Sequence, residues 1–438
     1  MNTAGTPRMA SETEPKREAS TEAQQADAGP VGNHTAAQNA ICQTTVELGV
    51  AKYADSLKAI VLTGSLSRKE GTFSLDGGFW TLAGDAEFLL VFRENAPLPL
   101  FEDLLALQKA IESKLLERSL KCRISLASVH PNYLRQLRPH IFAFELFTHG
   151  CVLWGDPVIS LIPAFPATAI PLEDAWRLLC NRMIELLEAC VVLTDKSRDL
   201  PKEVFYQTVK LYIDMGTSFL VFAGGYESTY ASRAERIRLL KSERGAADSC
   251  PLDLAQFAER VMACTQYKLS GTGELPWMGR NCEHDNLAFW QAAVADARSL
   301  WHWELAQLTG IKEDLSDQKL MMRWMAQQPT DECMRGWLFV LRREGWQRSW
   351  RKWPGWIRRG LHASPRYCVY AAASELFFQL PPLISATSGK TAREDPTCEL
   401  FGWLPLTRTE SPASANDWRH RASEIAWNYH RFLEGTRS

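Results

Sequence analysis

Two short apolar runs in the first third of the chain constrain the fold more than any other feature. AIVLTGS (59–65) ends in Gly64-Ser65, and EFLLVF (87–92) begins two residues after Asp85. Apolar, β-branched runs of this length that end at turn residues are typical of strands buried in a sheet. We therefore predict two core strands, with a Gly-Ser turn closing the first and two carboxylates, Asp85 and Glu87, opening the second.

The residues around these runs extend the pattern. Asp76-Gly77-Gly78, set between aromatic and β-branched residues, predicts a hairpin. Residues 100–120 have an apolar period of 3.6 and predict a helix, and CRISLASV (122–129) predicts a third strand. Together these elements predict an α+β domain over residues 37–157, in which helices cover a mixed sheet.

The segment before this domain and the segments after it are predicted to have different structures. Residues 1–36 almost lack large apolar side chains, so we predict a disordered tail. An all-α helical bundle domain is expected over 158–330, and a basic, tryptophan-rich helical region over 331–438. The predicted bundle helices are 172–195, 203–224, 228–242, 252–268, 285–309 and 315–327.

Composition limits the classes of function. The net charge is −2, so the chain as a whole has no bias toward polyanions. Its eleven cysteines are scattered and include no C-x-x-C pair, which favours reduced thiols in a cytoplasmic protein. The apolar stretch 367–383 contains Glu375 and falls short of a membrane span, so we predict a buried helix there.

The Gly-Ser turn and the two acids suit one chemistry, the transfer of a nucleotidyl group. Glycine lets the backbone approach a triphosphate closely. Carboxylates at i and i+2 on a strand lie on the same face of the sheet, where they can share Mg²⁺. Asp85 and Glu87 are therefore the candidate metal ligands and catalytic residues.

The string TGSLSRKEG…GDAEFLLVF resembles the signature of the polymerase-β-type nucleotidyltransferase superfamily, in which Gly-Ser precedes Asp-x-Asp or Asp-x-Glu. FELFTHGCVLWGDP (144–157) resembles the segment that closes this domain in small bacterial members. Residues 205–237 resemble the helical domain fused to such enzymes, including aminoglycoside nucleotidyltransferases. The resemblance covers about residues 58–240.

The resemblance implies roles for individual residues. Gly64 and Ser65 would bind the triphosphate of an NTP, and Asp85 and Glu87 would bind Mg²⁺. Arg68 and Lys69 would add positive charge near the phosphate oxygens. The implied activity is Mg²⁺-dependent transfer of a nucleoside monophosphate from an NTP to a hydroxyl acceptor, either a small molecule or a macromolecule.

The sequence departs from the family in two places. The strand after the helix carries Ser125 where a third carboxylate is expected, and serine does not supply that charge. The separation between Gly64 and Asp85 is also longer than in the family, and the predicted hairpin accounts for the difference. Either a residue of the helical domain activates the acceptor, or the domain binds nucleotide without turning it over.

Several other polar residues are open to two interpretations, packing or a role at the site. That role would be catalytic for His140, Glu145 and His149, and contact with substrate for the residues of the helical domain. In the helical domain, Lys210 and Asp214 are spaced as an i,i+4 pair, and the aromatic side chains can pack the helices together. The full set is His140, Glu145, His149, Lys210, Asp214, Tyr226, Tyr230 and Arg233.

Residues 335–366 contain nine Arg or Lys, one acid and five tryptophans. Three interpretations remain open: a helix that packs its Trp face inward, a segment that lies on an anionic membrane surface, or a nucleic-acid site. The last two lead to an alternative function, a catalytically degenerate adaptor that is peripheral to a membrane or bound to nucleic acid. Pro354 is expected to interrupt the helix. The tryptophans are Trp337, Trp346, Trp350, Trp353 and Trp356.

Overall fold

The computed structural model describes residues 33–193, 200–241, 250–270, 275, 282–345, 353–385, 399–406 and 418–432. A five-stranded sheet occupies the first part of the chain. Its strands are β1 (Leu57–Thr63), β2 (Thr72–Asp76), β3 (Phe79–Phe92), β4 (Leu120–Val129) and β5 (Cys151–Gly155).

The long strand β3 organises the sheet. β2 and β1 pair antiparallel with its first and second halves, β5 pairs antiparallel with β1, and β4 runs parallel to β3. The predicted mixed sheet and all three predicted strands are therefore confirmed. The predicted hairpin is also present, because Gly77 and Gly78 both have positive φ angles, +55° and +81°, as a two-residue turn requires.

Two strand boundaries differ from the prediction. β1 ends at Thr63, so Gly64-Ser65 does not end the strand but begins a short helix. β3 begins at Phe79 rather than Glu87, because its pairing with β2 extends the ladder back to the hairpin turn.

Five helices accompany the sheet, and four of them cover its two faces. Phe88 and Leu90 pack toward α1 and α3 on one face, whereas Leu89 and Val91 pack toward α4 and α5 on the other. Because side chains alternate along a strand, Asp85 and Glu87 belong to the same face as Leu89. The helices are α1 (His34–Tyr53), α2 (Gly64–Ser67), α3 (Phe101–Glu117), α4 (Pro131–Arg135) and α5 (Ile141–His149).

The first helix begins inside the tail that is predicted to be disordered. The tail was expected to extend to residue 36, but α1 starts at His34 because the Asn33 side chain accepts a hydrogen bond from the Ala36 amide at 2.8 Å. The His34 ring also contacts Trp80, with ring centroids 4.8 Å apart. Residues 1–32, the rest of the predicted tail, lie outside the described residues.

The described chain after Pro171 is helical, and each of the six predicted helices is present with shifted ends. Trp176 lies at the centre of its core, in contact with Trp301, Trp324 and Tyr367. The helices are α6 (Leu172–Ala189), α7 (Lys202–Phe222), α8 (Tyr230–Leu240), α9 (Leu254–Ser270), α10 (Cys282–Thr309), α11 (Asp317–Ala326), α12 (Thr330–Glu344), α13 (Trp353–Gly360), α14 (Pro365–Phe377), α15 (Leu380–Ser385) and α16 (Trp418–Phe432).

The apolar stretch 367–383 falls in α14 and α15, and α14 is buried along nearly its whole length, as predicted. Pro354 is the second residue of α13, where a proline does not disrupt a helix. Across the described ranges, no helix is long and apolar enough to cross a membrane.

Candidate functional site

The turn at Gly64 lies directly against Glu87. Thr63, the last residue of β1, pairs with Glu87 on β3, and Gly64 follows with a φ of +68°. A Cβ atom at position 64 would lie 3.0 Å from the Glu87 carboxylate. Glycine is therefore favoured here both by the backbone conformation and by the space between the turn and the acid.

Asp85 and Glu87 lie on one face of β3, in the predicted arrangement. On the neighbouring strand β4, Arg123 is opposite Asp85 and Ser125 is opposite Glu87. Arg123 Nε lies 3.6 Å from Asp85 Oδ1, and its side chain is exposed to solvent. The position that the resemblance assigns to a third carboxylate is thus next to Glu87 and is occupied by a hydroxyl.

The two carboxylates fit part of a magnesium site. Mg²⁺ in nucleotide-dependent proteins is held by one or two carboxylates, with substrate phosphates and water completing its shell. Within the described ranges, no third His, Cys, Asp or Glu joins Asp85 and Glu87 in a group that could hold a metal. The donor set is therefore suited to an ion that arrives with a phosphorylated ligand.

Arg68 is directed away from solvent into a buried ionic cluster. Its Nε donates to Glu70 at 2.9 Å and its Nη1 to Glu145 at 2.5 Å, and its guanidinium lies 4.9 Å from the centroid of the Tyr230 ring. Two carboxylates therefore match its charge. Lys69, by contrast, is exposed and has a φ of +61°.

The same cluster joins the 64–70 segment to α8. Glu145 accepts hydrogen bonds from Arg68, Arg233 and the Tyr226 hydroxyl. Burial raises the pKa of Glu145, but Arg233 and Arg68 outweigh it, so the pKa lies below its usual value. These contacts support the packing interpretation for Glu145, Tyr226 and Arg233.

Glu70 makes a second connection to α8. Its Oε1 accepts a hydrogen bond from the Tyr230 amide at 2.6 Å, at the first residue of that helix. A carboxylate at this position satisfies a backbone donor that has no partner within the helix. The segment that follows Gly64 is therefore fastened to the helical region by both Arg68 and Glu70.

The predicted pairing of Lys210 with Asp214 is wrong. Asp214 pairs with Arg182 at 2.6 Å, while Lys210 Nζ lies 3.6 Å from Glu185 on α6. The cause is tertiary packing, because α6 brings an arginine and a carboxylate against α7. Burial and then Arg182 lower the pKa of Lys210 to about 8.

A lysine from α9 reaches the backbone of β3. Lys268 Nζ donates to the backbone oxygen of Ala83 at 3.1 Å and to the Tyr206 hydroxyl at 2.7 Å. Ala83 precedes Asp85 by two residues on β3. Burial, followed by Lys210 and Arg182, lowers the pKa of Lys268 to about 8. The sequence predicts neither Lys268 nor Tyr206 as a site residue, although Tyr206 lies within the stretch 205–237.

The histidines at the two ends of α5, His140 before its first residue and His149 as its last, have structural partners. His149 Nε2 is 2.7 Å from the Ser228 hydroxyl, and burial together with Arg68 lowers the pKa of His149. His140 Nδ1 is 2.7 Å from the Arg138 backbone oxygen.

The described part of the basic segment buries two of its tryptophans. Trp337 donates its indole N–H to Ala363 and Trp356 to the Pro405 backbone oxygen, each at 2.8 Å, and their rings are 6.1 Å apart. These two side chains support the packing interpretation. Trp346 and Trp350 lie outside the described residues.

No protein-family model matches the chain, and no curated protein sequence matches it. The likeness to nucleotidyltransferases therefore rests on Gly64-Ser65, on Asp85 and Glu87, and on the order of elements around them.

Proposed function

We propose that this chain is a Mg²⁺-dependent nucleotidyltransferase that moves a nucleoside monophosphate from an NTP to a hydroxyl acceptor. The observation that carries this proposal is the apposition of Gly64 and Glu87. It places a backbone that a triphosphate can approach beside a carboxylate that can hold its metal ion.

The residues of the site would act mainly by positioning. Asp85 and Glu87 would hold Mg²⁺, which neutralises charge on the phosphate oxygens when it is bound. The backbone at Gly64 and Ser65 would orient the triphosphate so that its α-phosphorus faces the acceptor. The acceptor oxygen would form the new bond to that phosphorus as the bond to pyrophosphate breaks, and the hydroxyl proton would leave to solvent or to a basic side chain.

In this proposal, residues 37–157 form the nucleotidyltransferase domain and residues 158–330 the domain that selects the acceptor. Two contacts support this division of roles. Lys268 of α9 bonds to Ala83, two residues before Asp85, and Glu70 from the segment after Gly64 accepts a hydrogen bond from the first amide of α8. Arg68 is left out of the phosphate site because its charge is already matched by Glu70 and Glu145.

The test is calorimetric binding of ATP, GTP, CTP and UTP, with and without Mg²⁺. Wild type is expected to bind at least one NTP in a Mg²⁺-dependent manner. Asp85→Asn and Glu87→Gln should each weaken that binding at least tenfold, which is about 1.4 kcal/mol. Asp76→Asn, at an exposed position of the hairpin, is the matched control. Equal affinity in wild type and both site variants would refute the assignment.

A second candidate function is a catalytically degenerate adaptor. Ser125 opposite Glu87 favours it, because the hydroxyl supplies no negative charge for a second metal ion or for acceptor activation. In this version the site binds nucleotide without turnover, and the basic segment 335–366 docks on an anionic membrane or on nucleic acid.

One part of the described basic segment is compatible with such docking. On α13 and just after it, Ile357 and Leu361 are 67% and 72% exposed, and Arg358 is also exposed. Flotation with phosphatidylserine vesicles tests the membrane version, with Arg351, Lys352 and Arg358 changed to Glu as the comparison. Equal recovery of both proteins with vesicles would exclude it, and displacement of vesicles by an RNA or DNA oligonucleotide would favour nucleic acid.

A further inference from the structure

Two lysines from different helices contact the same tyrosine ring, and one of them bonds to β3 two residues before Asp85. Lys210 on α7 and Lys268 on α9, here called the lysine pair, place Nζ 6.0 Å and 5.4 Å from the centroid of Tyr206. Lys268 is only 6% exposed, whereas the Lys210 side chain is 28% exposed. The pair thus has a buried member and a member that solvent reaches.

The neighbouring carboxylates are already engaged with arginines. Asp214 and Glu185 both pair with Arg182, and Glu185 lies 3.6 Å from Lys210. Lys268 makes no ion pair with any carboxylate of the described residues, since its two hydrogen bonds go to a backbone oxygen and a phenol. The titratable groups around the pair are Arg68, Glu70, Arg182, Glu185, Glu203, Asp214, Tyr230 and Tyr267.

A buried ammonium without a counter-charge is unfavourable. Lys268 is in this position, and burial together with Lys210 and Arg182 lowers its pKa to about 8, whereas Lys210 has the Glu185 carboxylate 3.6 Å away. A bound anion would supply the missing counter-charge. One N–H of the Lys268 ammonium remains for that purpose, because an ammonium has three donors and two are used.

Lys268 contacts the same strand that carries the proposed metal ligands. Along β3, Lys268 contacts Ala83, the two carboxylates follow at Asp85 and Glu87, and the Gly64 turn lies against Glu87. Lys268 therefore meets β3 on the N-terminal side of Asp85, whereas the Gly64 turn meets it at Glu87. If the turn holds the donor triphosphate, the lysine pair is left for a second phosphate group.

We propose that Lys210, Lys268 and Tyr206 form a binding site for a phosphate group carried by the acceptor. The acceptor is then a phosphorylated compound with a free hydroxyl. A phosphate monoester carries nearly two negative charges at pH 7, which matches two ammonium groups better than a single carboxylate does. The role of these three residues as an acceptor site rests on the proposed function, whereas their binding of phosphate does not.

Calorimetric titration of the full chain with inorganic phosphate and with glycerol 3-phosphate at pH 7 tests the site. Both are expected to bind, and glycerol is not. Lys210→Met and Lys268→Met should each weaken phosphate binding at least tenfold, and the double variant should abolish it. Methionine keeps the apolar stem and removes the repelling charge, so these variants are expected to fold.

Lys202→Met, an exposed lysine on the same helix as Lys210, is the matched control and should bind phosphate like wild type. Absence of phosphate binding in wild type, or unchanged binding in the double variant, would overturn the proposal.

A second titration separates the acceptor site from the donor site. Phosphate should bind equally well to Asp85→Asn and to wild type saturated with a Mg²⁺ complex of a non-hydrolysable NTP analogue. Displacement of phosphate by that complex would assign the lysine pair to the donor triphosphate and overturn the proposal. If phosphate binds but no Mg·NTP does, the lysine site stands and the proposed nucleotidyltransferase function fails.

Discussion

A side chain on residue 64 would meet the carboxylate of Glu87, since a Cβ there would lie 3.0 Å from the Glu87 carboxyl carbon. The φ of +68° at Gly64 adds an independent requirement for glycine. The two constraints have different consequences, because strain in the backbone affects stability and displacement of Glu87 affects the site. A pair of alanine substitutions can separate them.

We expect Gly64→Ala to lower the free energy of unfolding by about 1–2 kcal/mol, the cost of a left-handed conformation for alanine. The flexible Glu87 side chain should move aside, so Mg·NTP binding should fall at least tenfold. Gly77→Ala is the control, because Gly77 has a φ of +55° and a Cβ there would contact nothing within 4 Å. Its stability loss should be similar and its nucleotide affinity unchanged. Equal nucleotide affinity in both variants would contradict the role of Gly64.

Ser125→Asp should place a third carboxylate beside Glu87. With no metal bound, two like charges on adjacent strands repel, so stability should fall by up to about 1 kcal/mol. Addition of Mg²⁺ should recover that loss, and NTP turnover should rise if the proposed function is correct. Ala127→Asp, two residues along β4 and opposite Leu89, serves as control in thermal unfolding with and without Mg²⁺. A Mg²⁺ effect of the same size in both variants would argue against a metal at Glu87.

The sequence predicts those features of the site that depend on residues close together in the chain. The hairpin at Gly77-Gly78 and the shared face of Asp85 and Glu87 depend on turn residues and on the period of a strand, and both are present. Interactions between charged residues far apart in the sequence cannot be predicted in this way. Arg68 pairs with Glu145, 77 positions away, and Lys268 bonds to Ala83, 185 positions away. Only the packing of helices against the sheet determines such pairs.

Removal of the Glu145 charge should be strongly destabilising. Its carboxylate is the common partner of Arg68 and Arg233, both of which are buried, so Glu145→Gln leaves two guanidinium groups under-compensated. Loss of one member of such a cluster costs about 3–5 kcal/mol. Urea unfolding measures the change. Glu235→Gln removes the partner of Arg238 on the surface and should leave the free energy of unfolding nearly unchanged. A similarly small effect for Glu145→Gln would contradict the buried network.

Lys268 should make stability depend on pH above neutrality. Its pKa is about 8 in the folded protein, against a usual value of 10.5. Between these pH values the unfolded chain binds the proton and the folded protein does not, so rising pH stabilises the fold. The unfolding free energy of wild type relative to Lys268→Met should therefore rise by about 3 kcal/mol between pH 7 and pH 10.5. Lys202→Met is the control for denaturant unfolding. A difference that is flat with pH would show that Lys268 titrates normally.

Glu304 should produce the opposite dependence at lower pH. It is fully buried on α10, and neither carboxylate oxygen has a hydrogen-bond partner among the described residues. Burial raises its pKa to about 8, and the nearby Ser218 only partly opposes this. The folded protein therefore retains a proton that the unfolded chain loses near 4.5, so the stabilisation present at low pH is lost as pH rises to about 8.

Glu304→Gln, which resembles the protonated acid, should therefore become more stable than wild type as the pH rises. The difference in unfolding free energy should grow by about 1.4 kcal/mol per pH unit between pH 5 and pH 8 and level off above that. Glu313→Gln, in the exposed loop after α10, should show no such trend. If the two variants give parallel curves in urea unfolding at each pH, Glu304 is ionised in the folded protein and must have a partner that compensates its charge.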